Sequence, residues 1–326
     1  MSAAFSVVMP LYNAAAYVHA ALRSIANADG RERLEQVVIV DDGSTDGSGE
    51  RARLALEEFG LPGEVLRLPH NGGACAARAY GFERARSPLV ACVDADDLCT
   101  PSRFVDALAR LDEDPRLQLV GGDLVMFADP HRPPAHGTLP FSSDHRIRMP
   151  VRGEEIAAAL VFHCPVYAST STFRRAALDA VALPQVRLGE DWLLAHRIVQ
   201  AFGPHAVGNT GTVLMRYRRH AGQLTGNAFL DNSGVFGVWK EILHDALGID
   251  ADHAELELHA RFSPPSCKPQ ASAREYECWC AWSDRLRNAS ESAGYVPAAL
   301  VKQLDAITAA IAPGAMAPGS ARAALA

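Results

Sequence analysis

The stretch that most constrains this 326-residue chain is Leu89–Pro101, with the sequence LVACVDADDLCTP. Its first five residues, Leu89–Val93, are all apolar and predict a short buried strand of a parallel sheet. Pro101 suits the first turn of a helix and marks where the next element begins. Between the strand and the helix stand three acidic residues, Asp94, Asp96 and Asp97.

Three carboxylates this close together repel one another, and burying them adds a desolvation cost. A divalent cation would relieve that repulsion, and Mg²⁺ and Mn²⁺ prefer such oxygen ligands. In an open α/β sheet, ligands also bind at the carboxyl ends of the strands. The alternative is an acidic turn that caps the following helix, and the DxD pattern alone does not decide between the two.

Composition narrows the class of protein. Hydrophobic residues make up 48% of the chain and charged residues 21%, as in ordinary soluble proteins. The net charge of -7 argues against a nucleic-acid partner. The sequence has no apolar run of about 18 residues and no basic leader, so we expect neither a transmembrane helix nor a signal peptide. Seven cysteines without a CxxC pair favour a reducing cytoplasm over a zinc site or a disulfide framework.

The N-terminal part alternates between strand and helix patterns. Apolar strand-like runs occur at Phe5–Met9, Gln36–Val40, Val65–Leu68 and Leu89–Val93, with helical periodicity between them. Such β-α repeats require right-handed crossovers. We therefore predict an α/β fold, with a Rossmann-like, mostly parallel sheet and helices on both faces. Residues 117–127 add one or two strands, and 212–217 a last one.

The C-terminal part has a different pattern. After residue 226 the periodicity is helical, with helices predicted at Val235–Leu247, Ala271–Arg287 and Pro297–Ile311. We therefore divide the chain into a catalytic domain, 1–226, and a C-terminal helical region, 227–326. Its Ala/Gly/Pro-rich tail is expected to be disordered from about 313. The residues leave open whether these helices form a homodimer, bind another partner or contact a membrane peripherally.

A proline- and histidine-rich loop is predicted at 129–150, within the N-terminal part.

Three further stretches carry polar residues at predicted element ends. Asp41–Asp46 (DDGSTD) follows the second strand. Asn71–Arg78 (NGGACAAR) opens a helix with small residues, which permit close approach of a ligand, and Arg78 could reach phosphate oxygens or form a surface ion pair. Gly189–Trp192 (GEDW) starts another helix, whose dipole favours acidic residues there.

These stretches together resemble the family 2 glycosyltransferases. The resemblance rests on motifs that occur in the family's order over residues 5–225: Met9–Asn13 (MPLYN), Val40–Asp46, Asn71–Gly73, Ala77–Arg78, Asp94–Asp97, Gly189–Trp192 and Tyr217–His220 (YRRH). It implies a GT-A fold, a metal-dependent nucleotide-sugar donor and inversion at the anomeric carbon. One departure is Ala79, because the family often has asparagine after the arginine.

The resemblance also implies roles for individual residues. The donor-binding residues would be Pro10, Tyr12, Asn13, Asp41, Asp42, Asn71, Arg78, Asp94, Ala95 and Asp96. Within this set Asp41 would contact the base, usually uracil. Asp96 and His220 would hold Mg²⁺ or Mn²⁺, and Asp191 would be the general base. Glu190, Trp192 and Asp97 would support the site or contact the acceptor.

The chemistry of sugar transfer makes matching demands. A cation offsets the charge that develops on the nucleoside diphosphate, and a carboxylate takes the proton of the attacking hydroxyl. The resemblance implies a hexosyl- or N-acetylhexosaminyltransferase that uses a UDP-sugar and a glycan or glycolipid acceptor. Bacterial cell-surface polysaccharide synthesis at the inner face of the membrane is the expected setting. A non-catalytic nucleotide-sugar-binding protein, or transfer to polyprenyl phosphate or a peptide, stays open.

Overall fold

The computed structural model describes residues 3–129, 131, 145–223, 235–263 and 271–313. Within these ranges the strands are β1 Phe5–Leu11, β2 Leu34–Asp41, β3 Gly63–Arg67, β4 Leu89–Cys92, β5 Leu98–Cys99, β6 Leu119–Ala128, β7 His145–Ile147, β8 Thr172–Arg174 and β9 Val207–Arg219. The helices of the first part are α1 Val18–Ala26, α2 Ser48–Glu58, α3 Ala74–Arg84, α4 Arg103–Glu113, α5 Gly153–Leu160, α6 Arg175–Ala180 and α7 Glu190–Phe202. Those of the second part are α8 Phe236–Leu247, α9 His253–Phe262, α10 Ala273–Ala293 and α11 Pro297–Ile311.

One mixed sheet forms the centre of the molecule. Its strand order is β3-β2-β1-β4-β8-β6-β9-β5, with β7 paired to β6. The neighbouring pairs β3-β2, β2-β1 and β1-β4 are parallel, and so is β6-β9. The parallel strands β1, β2 and β4 are mostly apolar, and a helix connects each strand from β1 to β4 to the next along the chain, as is usual in parallel sheets. The prediction of an α/β fold with a mostly parallel sheet is confirmed.

The second half of the sheet differs from the regular βα pattern. β8 runs antiparallel to both β4 and β6, and β6 is a single strand with an irregular register between Gly121 and Leu124. The two-residue strand β5 pairs antiparallel with β9, placing Leu98 opposite Arg216. This pairing brings the chain just after the DxD stretch beside the carboxyl end of β9.

The C-terminal helices pack on α5 and α7 and share a hydrophobic core with the sheet domain. That core includes Val8 and Val90 of the sheet, Trp192 of α7, and Trp239 and Trp279 of the C-terminal helices. The boundary near residue 226 stays a prediction. Helix α9 was missed from the sequence, although a capping box formed by Asp252 and Glu255 marks its start.

Several expectations concern the remaining segments. The loop predicted at 129–150 lies mostly outside the described residues, except that 145–147 form β7. The prolines at 264, 265 and 269 predict a linker, and this segment and the tail after 313 also lie outside the described residues. Within the described ranges, no helix combines the length and the apolar character needed to cross a bilayer.

Candidate active site

The candidate site lies at the carboxyl ends of β1, β2 and β4, where an open sheet places its ligands. The end of β9 and the N-terminus of α7 complete it. Of the predicted donor residues, Pro10 is half-buried in β1, Ala95 is buried, and Tyr12 and Asn71 are exposed. The side chain of Tyr12 is 50% exposed, so its ring is available at the edge of the site.

The loop after β1 is tied to the acidic loop after β2. The Asn13 backbone N–H donates to Ser44 Oγ at 3.0 Å, and Asn13 Oδ1 accepts from the Thr45 N–H at 2.9 Å. Asn13 has a left-handed backbone (φ 47°), which asparagine tolerates better than most residues. Asn13 does not cap α1, because the helix begins only after Tyr17 and its cap has no side-chain hydrogen bond. Asn13 instead shapes the loop.

Asp41 and Asp42 are buried carboxylates that organise the loops around them. Asp41 is 1% exposed, accepts from the Ser44 N–H at 2.8 Å and pairs with Arg67 at 2.7 Å. Asp42 is 2% exposed and accepts from the N–H groups of Gly72 and Gly73, both at 2.8 Å. Asp42 therefore joins the second strand to the start of α3. Contact between Asp41 and a base stays a prediction.

Arg78 connects the DxD stretch to α7. Its buried guanidinium donates to Asp94 Oδ1 at 2.6 Å through Nη2 and to Glu190 Oε1 through Nη1. Burial opposes its charge, but the attraction of Asp94 prevails and raises the Arg78 pKa. The alternative of a surface ion pair is wrong, because this pairing is internal and spans two elements of the site.

Asp96 and His220 meet although 124 positions separate them in sequence. His220 Nε2 lies 3.0 Å from Asp96 Oδ2, and its ring centroid lies 4.6 Å from that of Tyr17. Burial opposes protonation of His220, but the hydrogen bond to Asp96 outweighs it and raises the His220 pKa. Arg218 Nε donates to the Asp96 carbonyl at 2.7 Å. Sequence reasoning missed Tyr17 and gave Arg218 no role of its own, although Arg218 lies within the YRRH motif.

Asp97 and Trp192 are buried side chains that hydrogen-bond to the protein backbone beside the site. Asp97 is 0% exposed, and its Oδ1 accepts from the Arg218 N–H at 2.8 Å. Burial, then Asp96 and Asp94, raise the pKa of Asp97 well above its ordinary value. Trp192 is 5% exposed and donates its indole N–H to the Leu160 carbonyl at 2.8 Å. For both residues, burial favours the first of the two predicted roles, support of the site, and the choice between support and acceptor contact stays a prediction.

Asp191 lies in the first turn of α7, as predicted from GEDW, with its carboxylate held by backbone donors. Oδ2 accepts from the Ala168 N–H at 3.0 Å, and Oδ1 from the Trp192 N–H at 2.9 Å. Burial raises the pKa of Asp191, while Arg78 and the Ala168 N–H oppose that rise. A carboxylate of raised pKa is a stronger base than an exposed aspartate. The half-buried Cys164 thiol also neighbours Asp191, and no sequence motif had indicated it.

The donor atoms at Asp96 and His220 fit a metal only in part. Within the described portion of the chain, no group of three or more His, Cys, Asp or Glu residues could hold a metal ion. Asp96 and His220 nevertheless offer one carboxylate and one imidazole 3.0 Å apart. Mg²⁺ in phosphate-transfer sites commonly takes one or two protein ligands and completes its shell with water and substrate phosphates. The pair fits that kind of incomplete site.

Comparison with known proteins identifies the family. Residues 6–180, more than half of the chain, match the sequence model described as glycosyl transferase family 2. The chain belongs to this family.

Curated relatives align with this member of family 2 over short segments. The succinoglycan biosynthesis protein ExoU of Rhizobium meliloti is 38% identical over 88 residues, which are 27% of this chain and 25% of ExoU. The poly(ribitol-phosphate) β-N-acetylglucosaminyltransferase TarS of Staphylococcus aureus is 34% identical over 110 residues, 33% of this chain and 19% of TarS. The aligned segments thus span a quarter or less of these two relatives.

Solved structures share the fold over almost the whole chain. TarS residues 1–349 with UDP-GlcNAc superimpose with a TM-score of 0.56 and 19% identity, covering 94% of this chain and 90% of that one. A mannosyltransferase of Pyrobaculum calidifontis, in complex with GDP-Man and Mn²⁺, gives a TM-score of 0.54 at 19% identity, covering 95% and 86%. These likenesses confirm the GT-A fold expected from the sequence.

Proposed function

We propose that this chain is an inverting glycosyltransferase that moves a sugar from a UDP-sugar to a hydroxyl group of a glycan or glycolipid. One observation carries the proposal. The buried Arg78 guanidinium pairs with Asp94 on the donor side and with Glu190 at the start of the helix that holds Asp191. The acids expected to serve the leaving group and the attacking hydroxyl therefore belong to one site.

Asp191 acts as the general base. Its carboxylate accepts the proton of the acceptor hydroxyl while the hydroxyl oxygen bonds to the anomeric carbon. The bond from that carbon to the diphosphate oxygen breaks on the opposite face, and the electron pair leaves with the nucleoside diphosphate. Burial raises the pKa of Asp191, so the carboxylate is better matched to this proton transfer than an exposed aspartate.

Asp96 and His220 would hold Mg²⁺ or Mn²⁺ together with the donor's phosphates. The cation, when bound, neutralises charge that develops on the leaving diphosphate. Arg218 keeps the Asp96 backbone in place through the 2.7 Å hydrogen bond to its carbonyl. Asp97 anchors the same segment by accepting the Arg218 N–H.

The names and ligands of the relatives support the donor class and the setting. ExoU is named for succinoglycan biosynthesis, and TarS for N-acetylglucosaminyl transfer to poly(ribitol-phosphate). Two fold relatives were solved with nucleotide sugars, one with UDP-GlcNAc and one with GDP-Man and Mn²⁺. UDP is therefore the first nucleotide to test and GDP the second. The proposal includes an acceptor at the inner face of the membrane, which the enzyme would reach by peripheral contact.

Calorimetric titration of UDP, with Mn²⁺ and again with EDTA, tests the proposal. We expect binding that requires the metal, and we expect the Asp96→Ala variant to lose it because one of the two protein ligands is gone. Asp114→Ala is the matched control, since Asp114 pairs with the neighbouring Arg116 at the opposite end of the sheet.

The outcomes separate the parts of the proposal. Wild-type UDP binding that is the same with Mn²⁺ and with EDTA, or Mn²⁺-dependent binding that survives in Asp96→Ala, would refute the metal site. Binding of GDP in place of UDP would keep the enzyme and change the donor. No binding of any nucleotide by the wild-type protein, and no release of nucleotide in the presence of sugar acceptors, would overturn the proposed function.

A further inference from the structure

A fully buried guanidinium lies beneath the candidate site. Arg103, the first residue of α4, is 0% exposed. It donates to the carbonyls of Cys92 at 3.2 Å and Ser171 at 2.9 Å, and to Thr172 Oγ1 at 3.1 Å. A longer contact of 3.5 Å reaches the Ser169 carbonyl. Within the described residues, none of these partners is a carboxylate, and Arg103 Nε has no hydrogen-bond partner.

Fold stability alone gives little reason for an arginine at this position. A buried cation without a carboxylate partner carries a desolvation cost that neutral carbonyls offset only in part, and burial lowers the Arg103 pKa accordingly. The neighbouring Phe104, Ala107 and Leu108 are buried apolar residues. An apolar side chain would suit these surroundings at a lower desolvation cost.

The partners of Arg103 belong to the two segments that hold the reacting groups. Cys92 ends β4, two positions before Asp94. Ser169, Ser171 and Thr172 follow Ala168, whose N–H donates to Asp191 Oδ2 at 3.0 Å. The Ser171 carbonyl accepts from the Cys92 N–H as well, at 2.9 Å. One guanidinium therefore binds the strand that leads to the donor acids and the segment that holds the base.

We propose that Arg103 is a positioning residue that fixes Asp191 relative to the Asp94–Asp96 turn through the carbonyls of Cys92 and Ser171. The inference rests on the proposed function, since it concerns the base and the donor acids of that reaction. In-line transfer needs the base Asp191 and the acids on the donor side held at fixed positions relative to each other, and a displacement of about 1 Å can cost about 100-fold in rate.

The test compares Arg103→Met and Arg103→Lys with a control on β8, the strand that contains Thr172. Arg174 ends β8, and its guanidinium also donates to carbonyls, those of Leu117 at 2.7 Å and Leu111 at 2.8 Å. Arg174→Met therefore removes a similar arginine–carbonyl contact without touching the segment beside Asp191. For each variant, four properties are measured: the free energy of unfolding, kcat and KM for the donor, the pH dependence of kcat, and hydrogen–deuterium exchange of peptides that contain Ala168.

We expect Arg103→Met to lower kcat about 100-fold while changing the donor KM much less. Because the Ala168 N–H lowers the Asp191 pKa, its loss should move the acid limb of the kcat profile to higher pH. Peptides with Ala168 should exchange faster. Arg103→Lys, which keeps the charge and one donor group, should recover part of each effect. Arg174→Met should lose stability but keep the wild-type pH profile and exchange.

The inference is overturned if folded Arg103→Met keeps wild-type kcat, pH profile and exchange at Ala168. If Arg103→Met does not fold, a wild-type pH profile and wild-type exchange in Arg103→Lys overturn it equally. Failure of the proposed function is distinct, because then the wild-type protein itself transfers no sugar. Exchange at Ala168 needs no turnover, so faster exchange in the Arg103 variants would still support the positioning link in that case.

Discussion

Asp94, Asp96 and Asp97 stand within four positions, yet the fold gives each a different partner. Asp94 pairs with Arg78, Asp96 with His220, and Asp97 with the Arg218 N–H. Each partner offsets part of the repulsion that the three acids would otherwise exert on one another. At the scale of residues, the three acids on this turn therefore have different roles. Asp94 is linked to α7 through Arg78, Asp96 is the proposed metal ligand, and Asp97 anchors β9.

The Asp191→Asn variant tests the base. Asparagine keeps the size of the side chain but cannot accept the proton, so we expect kcat to fall by about 100-fold or more while UDP affinity is retained. In the wild-type enzyme, the raised Asp191 pKa means that kcat should fall as the pH drops through that raised value, because the protonated acid is inactive as a base. Asp179→Asn, at a surface pair with Arg175, is the control. Normal turnover by Asp191→Asn would rule out its assignment.

At the scale of elements, the helix that carries Asp191 is held by the C-terminal helix α8. Arg197 of α7 pairs with Glu241 of α8 at 2.6 Å. The rings of Trp192 and Trp239 meet edge to face, with centroids 5.5 Å apart. α8 therefore helps fix the position of α7, which gives the C-terminal helices a structural part in the site.

The Gly189→Ala variant tests that contact. Gly189 precedes α7 with φ 77°, and an added Cβ would lie 3.1 Å from Val238 Cγ2 of α8. Gly47 precedes α2 with φ 83° and has open space around it, so Gly47→Ala measures the backbone strain alone. That strain is about 1–2 kcal/mol, and we expect Gly189→Ala to cost more in the free energy of unfolding and to lower kcat. If chemical denaturation gives Gly189→Ala and Gly47→Ala equal losses in the free energy of unfolding, Val238 moves aside at no cost and the α7-α8 contact is not tight.

At the scale of the whole molecule, a buried histidine joins the C-terminal helices to the sheet domain. His259 of α9 lies 2.8 Å from the Val161 carbonyl through Nε2, and its Nδ1 accepts from the Trp282 indole of α10 at 3.0 Å. Its ring stacks on Phe162 with centroids 5.2 Å apart. These contacts require the neutral ring, protonated at Nε2. Burial lowers the His259 pKa to about 4.

Acidification should therefore lower the free energy of unfolding, because protonated His259 cannot keep its contacts between the C-terminal helices and the sheet domain. An unfolded histidine takes up a proton near pH 6.5, whereas folded His259 takes it up only near 4, so stability falls as the pH drops between these values. The shift corresponds to about 3 kcal/mol. We expect His259→Gln to reduce the pH dependence of the free energy of unfolding, but not abolish it, because burial also lowers the His163 pKa to about 4. His244→Gln, at an exposed position of α8, is the control for loss of a histidine. If the free energy of unfolding of His259→Gln depends on pH as steeply as that of the wild-type protein, His259 is not a source of the pH dependence.

Local pattern was enough to place most elements and most of the site. Apolar runs that end in acidic turns identified β1, β2 and β4 and the loops after them, because a buried strand and its exposed end differ in composition over a few residues. The first turn of α7 was likewise visible in GEDW. Helix α9 was not predicted, because its charged and histidine residues obscure the apolar face that Leu256 and Phe262 bury.

What the sequence by itself determined was therefore the α/β class, the family and the identity of the acids at the strand ends. The resemblance had assigned Asp96 and His220 to one site, but only the tertiary structure decided the contacts: the 3.0 Å approach of His220 to Asp96, the internal pairing of Arg78, the burial of Asp97 and Trp192, and the position of Arg103 beneath the site. The reason is physical. These contacts join residues as many as 124 positions apart, and their geometry depends on strand order and on the β5-β9 pairing, which no local periodicity encodes.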